Sequence, residues 1–181
     1  MCDKATIRRH ILSKKKEVLD IDKYFYYSNA LMKRLESNSH FCESNTIMMF
    51  WSLQDEPHTH DFIEKWCHVK KILLPVIVGE NIVLRQYRNV NEMVVGRYGI
   101  KEPTGTLFKD FEEIEMAIIP GVAFDNNHNR LGRGKGYYDR FFAKNTFSTL
   151  YKLGICFDFQ IVDSLPVSTW DVPMDDVLYT Y

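Results

Sequence analysis

Three glycines at alternate positions, Gly132, Gly134 and Gly136, share a short loop with Arg130, Arg133 and Lys135. Glycine carries no side chain and accepts positive φ, so such a loop can turn successive backbone N–H groups toward one anion. No acid lies among these cations in the chain. Crowding like charges there is unfavourable unless something negative occupies the space between them. The residue types therefore point to a phosphate. Tyr137, Tyr138 and Asp139 follow at once and read as the start of a helix, whose dipole would add to the cradle. Asp139 is then placed to hold Mg²⁺ beside the phosphates, because that ion prefers one or two carboxylates plus phosphate oxygens and water. The loop is neither GxxxxGK[ST] nor GxGxxG, so the mechanism of neither motif carries over. The bland alternative is a flexible turn with solvated basic side chains; the tyrosine pair and the acid favour the anion site.

A strand, a polar turn and a helix must position that loop. The apolar run 116–119 (MAII) reads as the strand leading in, residues 125–129 as the turn, and 138–144 as the helix leading out. Upstream, residues 3–36 carry apolar positions at helical intervals. Two helices with a break near 20–23 are expected, with Asp22 and Ser28 as candidate caps. Lys4 and Arg8, at i and i+4, share one face of the first helix, whereas Lys14, Lys15 and Lys16 read as solvated surface. The run 46–51 (TIMMFW) has the near-continuous apolar character of a buried parallel strand. It exits into SLQDEP, and in open α/β sheets ligands gather outside the carboxyl ends of strands. Glu56 stands there, as a site acid or a solvated loop acid; Trp51 reads as a pocket wall or as core. Lys71–Val78 is a second buried strand, with Pro75 predicting a bulge or an early end. A turn at 79–81 and the alternating run 82–87 make a hairpin partner. Residues 88–115 read as a long surface excursion, and 151–157 and 177–181 as further strands. In the segment His58-Thr59-His60-Asp61 a metal reading yields to a helix cap, Thr59 or Asp61, on a helix over 62–69.

The totals set limits. The chain has 181 residues, 45% hydrophobic and 26% charged, with net charge −1. These values fit one globular domain over 1–181 and exclude a generally basic nucleic-acid binder, so any anion site is local. Four cysteines without a CxxC spacing suit unpaired thiols in a reducing compartment, the cytoplasm. A charged N-terminus lacks the apolar core of a signal peptide, and the apolar runs are too short to span a bilayer. Alternating strands and helices give an α/β sheet domain, whose strand order the sequence leaves open.

The string RLGRGKGYYDRF at 130–141 resembles the signature of the 5-formyltetrahydrofolate cyclo-ligase family. KATIR at 4–8, FWSLQDE at 50–56, GIKEP at 99–103, LGICFDFQ at 153–160 and DSLPVSTWDVPMDDVL at 163–178 match in the same order. The resemblance implies a single three-layer α/β domain with a mainly parallel central sheet flanked by helices; a monomer is expected, and the charge and short apolar runs speak against nucleic-acid and membrane partners. It implies an ATP- and Mg²⁺-dependent enzyme that closes 5-formyltetrahydrofolate to 5,10-methenyltetrahydrofolate. ATP-binding residues carried over are Lys4, Arg8, Arg130, Leu131, Gly132, Arg133, Gly134, Lys135, Gly136, Tyr137 and Tyr138. The folate falls to Trp51, Glu56, Tyr98 and the loop residues 133–137, and the metal to Asp139 and Asp175, with Asp171 and Asp176 as rivals of Asp175 by spacing. Lys135, Arg133 and Tyr137 are the expected catalytic residues. Two positions depart from the family pattern: His128 stands where glycine is common and Trp170 where histidine is frequent.

Three other functions remain open at this stage: an ATP-dependent kinase or ligase for another substrate, a nucleotide- or RNA-binding module, and a sugar-phosphate isomerase or CoA transferase. Omitting ATP separates the last pair, since neither reaction needs it.

Overall fold

The protein is described by a computed structural model covering residues 3–96 and 99–180. Tyr98 falls outside the described residues. Two helices open the chain, α1 (Lys4–Val18) and α2 (Ile21–Glu36). Their caps are Asp3 and Asp20, whose carboxylates accept the backbone N–H of Thr6 and Lys23 at 2.8 Å. Neither Asp22 nor Ser28 has that role. Ser28 is buried inside α2, where its hydroxyl accepts the His58 N–H at 3.0 Å. A short helix α3 (Ser39–Glu43) then leads into strand β1 (Thr46–Met48).

The remaining elements are α4 (His60–Trp66), β2 (Lys71–Val78), β3 (Asn81–Gln86), β4 (Met93–Val95), β5 (Lys101–Pro103) and β6 (Leu107–Phe108). Then come β7 (Met116–Pro120), β8 (Ala123–Asp125), β9 (Arg130–Leu131), α5 (Tyr137–Lys144), β10 (Tyr151–Cys156), β11 (Ile161–Val162) and β12 (Asp176–Tyr179). The excursion expected over 88–115 is more ordered than its polar composition implied. It contains the β4–β5 hairpin, and β6 pairs with the edge of the main sheet. The helix expected over 62–69 starts two residues earlier. Thr59 is at its N-cap position but makes no capping bond, because its hydroxyl donates to the Phe50 carbonyl at 2.8 Å.

The main sheet runs β12-β10-β7-β1-β2-β3-β6, parallel from β12 to β2 and antiparallel beyond. Its central strands are apolar throughout because both faces are covered. Ile47, Ile72, Leu74, Met116, Ile118, Leu153 and Ile155 pack with Leu31, Leu35, Phe41 and Phe62 of α2, α3 and α4. The alternate residues Met48, Leu73, Ala117, Ile119 and Cys156 pack with Phe141 of α5. A third cluster seats Ile11 of α1 on Ala123, Leu131 and Phe157.

Pro75 produces neither a bulge nor a strand end. It stays in register opposite Leu84. Tyr87 N–H bonds the Ile72 carbonyl, so alternation points position 75 away from β3. The last residue of β1 paired with β2 is Met48, opposite Leu73, and no ladder bond is lost there.

His128 is a non-glycine residue with left-handed backbone, φ 60°. The turn survives because the Asp125 carboxylate, buried at 3% exposure, accepts N–H bonds from Asn127, Asn129 and Leu165 at 2.9 Å each. His128→Gly relieves left-handed strain of about 1 kcal/mol. The expected result is a urea midpoint raised by about that free energy with an unchanged m-value; a lowered midpoint would refute the strain.

Candidate active site

At the carboxyl ends of β1 and β7 the exit loops diverge, and the space between them is a cavity of about 590 Å³. Its lining divides by chemistry. One part is apolar: Phe50, Trp51 and Leu53 from the β1 exit, Pro75 and Ile77 from β2, and Ile82 and Ile100. The other is charged: Lys4 and Arg8 from α1, the glycine loop 130–136, and Tyr137, Tyr138 and Asp139 from α5, with Asp171 from the tail.

The glycine loop is held from two sides. Arg8 Nε donates to the Gly132 carbonyl at 2.8 Å. A Cβ on Gly134, where φ is +93°, would come within 3.4 Å of the Arg8 guanidinium carbon. At the far end Arg140 donates to the Lys135 carbonyl at 2.9 Å and to the Glu80 carbonyl at 2.7 Å. Arg140 was quoted in the signature string without a role; it ties the loop to the β2–β3 turn. Gly136, φ +65°, caps α5, so the positive end of that helix opens at the loop.

The acids missing from the loop itself are supplied by tertiary structure. Asp139 receives Arg130 Nη2 on both carboxylate oxygens at 3.1 Å. Arg133 bonds Glu56 Oε1 through Nε at 3.3 Å and Nη2 at 3.2 Å, and also reaches Asp55. Lys4 pairs with Asp171. Like-charge crowding on the loop is therefore already relieved for Arg130 and Arg133. Lys135 is exposed, and its ammonium has no ion-pair partner among the described residues. The Nε of Arg130 is buried and likewise without a hydrogen-bond partner.

Glu56 is not a solvated loop acid, being only 9% exposed. Burial pushes its carboxyl above the usual range, opposed by the Leu53 N–H and by Arg133. For Arg133, burial acts against the charged form, but the bonds and charges of Asp55 and Glu56 outweigh it and raise its pKa. Trp51 is both wall and core: it lines the cavity while its ring stacks on His60 at 3.9 Å. His60 is thus occupied behind the wall, where burial holds its pKa down at about 4.

Three residues were missed or misread from sequence. Lys15 is not solvated surface: its ammonium donates to the Asp55 carbonyl, and burial lowers its pKa. Glu102, in the GIKEP string, is a cavity acid 8% exposed, accepting the Ile77 N–H at 3.2 Å. Periodicity could not find it, since its place depends on how the β4–β5 hairpin packs over β2. Asp175 is not brought to the cavity. Its carboxylate accepts the Lys152 N–H at 2.7 Å and borders a separate depression with His40 and Glu43. Its rival Asp171 lines the cavity instead. There burial raises the carboxyl, but the bonds from Lys4 and the Ser168 N–H hold it below the usual range. Asp176 faces His128 at 3.8 Å, and Trp170 is 81% exposed and absent from the lining.

Asp139 and Asp171 are the carboxylates available to a divalent cation. Each already has one cationic partner, yet a carboxylate offers about four lone-pair sites. Among the described residues no group of three His, Cys, Asp or Glu is placed to cage a metal. The donor set suits Mg²⁺ arriving with a polyphosphate.

The family model for the 5-formyltetrahydrofolate cyclo-ligase family matches residues 1–180. The chain belongs to that family. A 5-formyltetrahydrofolate cyclo-ligase of Escherichia coli K12 is 32% identical over 141 residues, spanning 75% of this chain and 78% of the relative. The Mus musculus cyclo-ligase is 27% identical over 188 residues, 93% of this chain and 89% of that one. The solution structure of the Aquifex aeolicus 5,10-methenyltetrahydrofolate synthetase superimposes with a TM-score of 0.85 at 29% identity, over 97% of this chain and 89% of that one. Membership makes the chain an enzyme of the ligase class, and the α/β fold with a mostly parallel sheet is the one its cyclo-ligase neighbours share. No described helix is long and apolar enough to cross a membrane, and Cys42, Cys67 and Cys156 are free thiols.

Proposed function

We propose that the chain, as one domain and one copy, closes 5-formyltetrahydrofolate to 5,10-methenyltetrahydrofolate at the expense of Mg-ATP, in the cytoplasm. The observation that carries this is one cavity with a buried acid, Glu56, against an apolar wall and, on a glycine loop, a lysine with no ion-pair partner among the described residues. The pterin would lie against Trp51 and give its amide-like and amino donors to Glu56, a charge-assisted pairing. The triphosphate would lie on the glycine loop and the α5 N-terminus, with Lys4 and Arg8 of α1 adding positive charge beside the loop. Mg²⁺, shared between Asp139, Asp171 and the phosphates, would supply charge neutralisation there.

The chemical obstacle is the formamide oxygen, a very poor leaving group. Transfer of the γ-phosphoryl from ATP to that oxygen, with ADP as the leaving group, makes it a good one. Folate N10 then attacks the activated carbon, loses its proton, and the C–O bond breaks to release phosphate. Such chemistry asks the protein for positioning and charge stabilisation rather than a nucleophile. Lys135 and Arg133 would neutralise charge on the transferring group and Arg130 the phosphates behind it, with Tyr137 between the two substrates.

The test is optical. Protein, Mg-ATP and 5-formyltetrahydrofolate mixed together should develop the methenyl chromophore, and omitting ATP should abolish it. No chromophore from folded protein, or the same rate without ATP, would exclude this reading.

A further inference from the structure

The carboxylate meant for the pterin already accepts three hydrogen bonds of the about four it can take. Glu56 Oε2 accepts the Leu53 N–H at 3.0 Å, and Oε1 accepts two N–H groups of Arg133, at 3.3 and 3.2 Å. No substrate donor can pair with Oε1 while that guanidinium stays. The same guanidinium edge is withheld from a phosphate, since Nη2 is shared between Glu56 and Asp55. One contact thus takes up Glu56 Oε1 on the folate side and the Nε and Nη2 edge of Arg133 on the phosphate side.

The two sides of this contact differ in freedom. The acid side is anchored: the Asp55 carbonyl is held by Lys15, and Glu56 is buried with its second oxygen bonded to backbone. The basic side is on the loop between Gly132 and Gly134, and Arg133 keeps 44% of its side chain exposed. Arg133 is the part able to move.

We propose that Asp55 and Glu56 form a latch on Arg133 that either substrate opens, so that folate and nucleotide bind with positive coupling, and that Asp55 is the positioning residue setting its strength. The inference rests on the two-substrate reading of the cavity. A pterin that takes Glu56 displaces Arg133 toward the phosphates, and a triphosphate that takes Arg133 uncovers Glu56. Both ligands favour the open arrangement, and each therefore tightens the other by the same factor.

Calorimetric titration with the β,γ-imido analogue of Mg-ATP and with 5-formyltetrahydrofolate, each alone and in the presence of the other, measures that factor. The wild type should bind each ligand at least fivefold more tightly when the other is present, the lower end of ordinary coupling. Asp55→Asn weakens the latch without touching a proposed ligand contact. It should bind each ligand alone about two- to fivefold more tightly, as loss of a partly exposed ion pair allows, and show a smaller coupling factor. A residue with a merely structural role would lose affinity instead. Independent binding in the wild type overturns the latch, whether or not the variant folds. So does unchanged or weaker binding by folded Asp55→Asn; Asp55→Ser repeats the test if the first variant is unstable. Failure of both ligands to bind the wild type would instead refute the two-substrate reading itself.

Discussion

Lys135→Ala should lower kcat by about 10²–10³-fold, the range seen when one preorganised group facing developing charge is removed. The protein should remain folded, with its thermal midpoint within experimental scatter of the wild type. The structure supports the second half of this expectation directly. Lys135 is exposed and its ammonium has no ion-pair partner among the described residues, so truncation breaks no internal salt bridge. The other loop cations would not give so clean a result. Arg130→Ala would strip the bidentate partner from Asp139, and Arg133→Ala would leave Glu56 buried and uncompensated. A folded Lys135→Ala enzyme with wild-type turnover would remove Lys135 from the chemistry.

Glu56→Gln should weaken 5-formyltetrahydrofolate binding by about 10–100-fold, the scale of a buried charged hydrogen bond. Nucleotide binding alone should not weaken. It should tighten slightly, because the amide holds Arg133 less firmly than the carboxylate does. Equilibrium titration of each ligand separately decides the matter. General damage to the cavity would weaken both ligands, whereas a pterin-reading role moves them in opposite directions. Equal loss for both would place Glu56 in the scaffold rather than at the folate.

Much of this protein is written locally in its sequence. Apolar runs at 46–51 and 71–78 announce buried strands, because a strand covered on both faces has no polar side to show; the strands found are 46–48, buried throughout, and 71–78, buried only over 72–74. Alternate glycines beside Arg133 and Lys135 announce a loop of special backbone, and Gly134 and Gly136 do have positive φ, because that freedom is a property of single residues. The helix following that loop is equally legible, and the string RLGRGKGYYDRF carries the resemblance to the family the chain belongs to.

What the sequence could not decide is which charge meets which. Asp139 reads as an unpaired carboxylate until the fold lays Arg130 across it, and Arg133 reads as an open phosphate clamp until Asp55 and Glu56 close on it from about eighty residues upstream. Asp171, not Asp175, reaches the cavity because β12 begins with Asp176, leaving Asp175 at the far end of β10 beside Lys152 while the preceding tail crosses to Lys4. Ion pairing acts through space between residues remote in the chain, and its partners are fixed only when strand order and loop path are. Chain spacing therefore revealed the kind of site, and only the folded sheet determined how its charges stand before a ligand arrives.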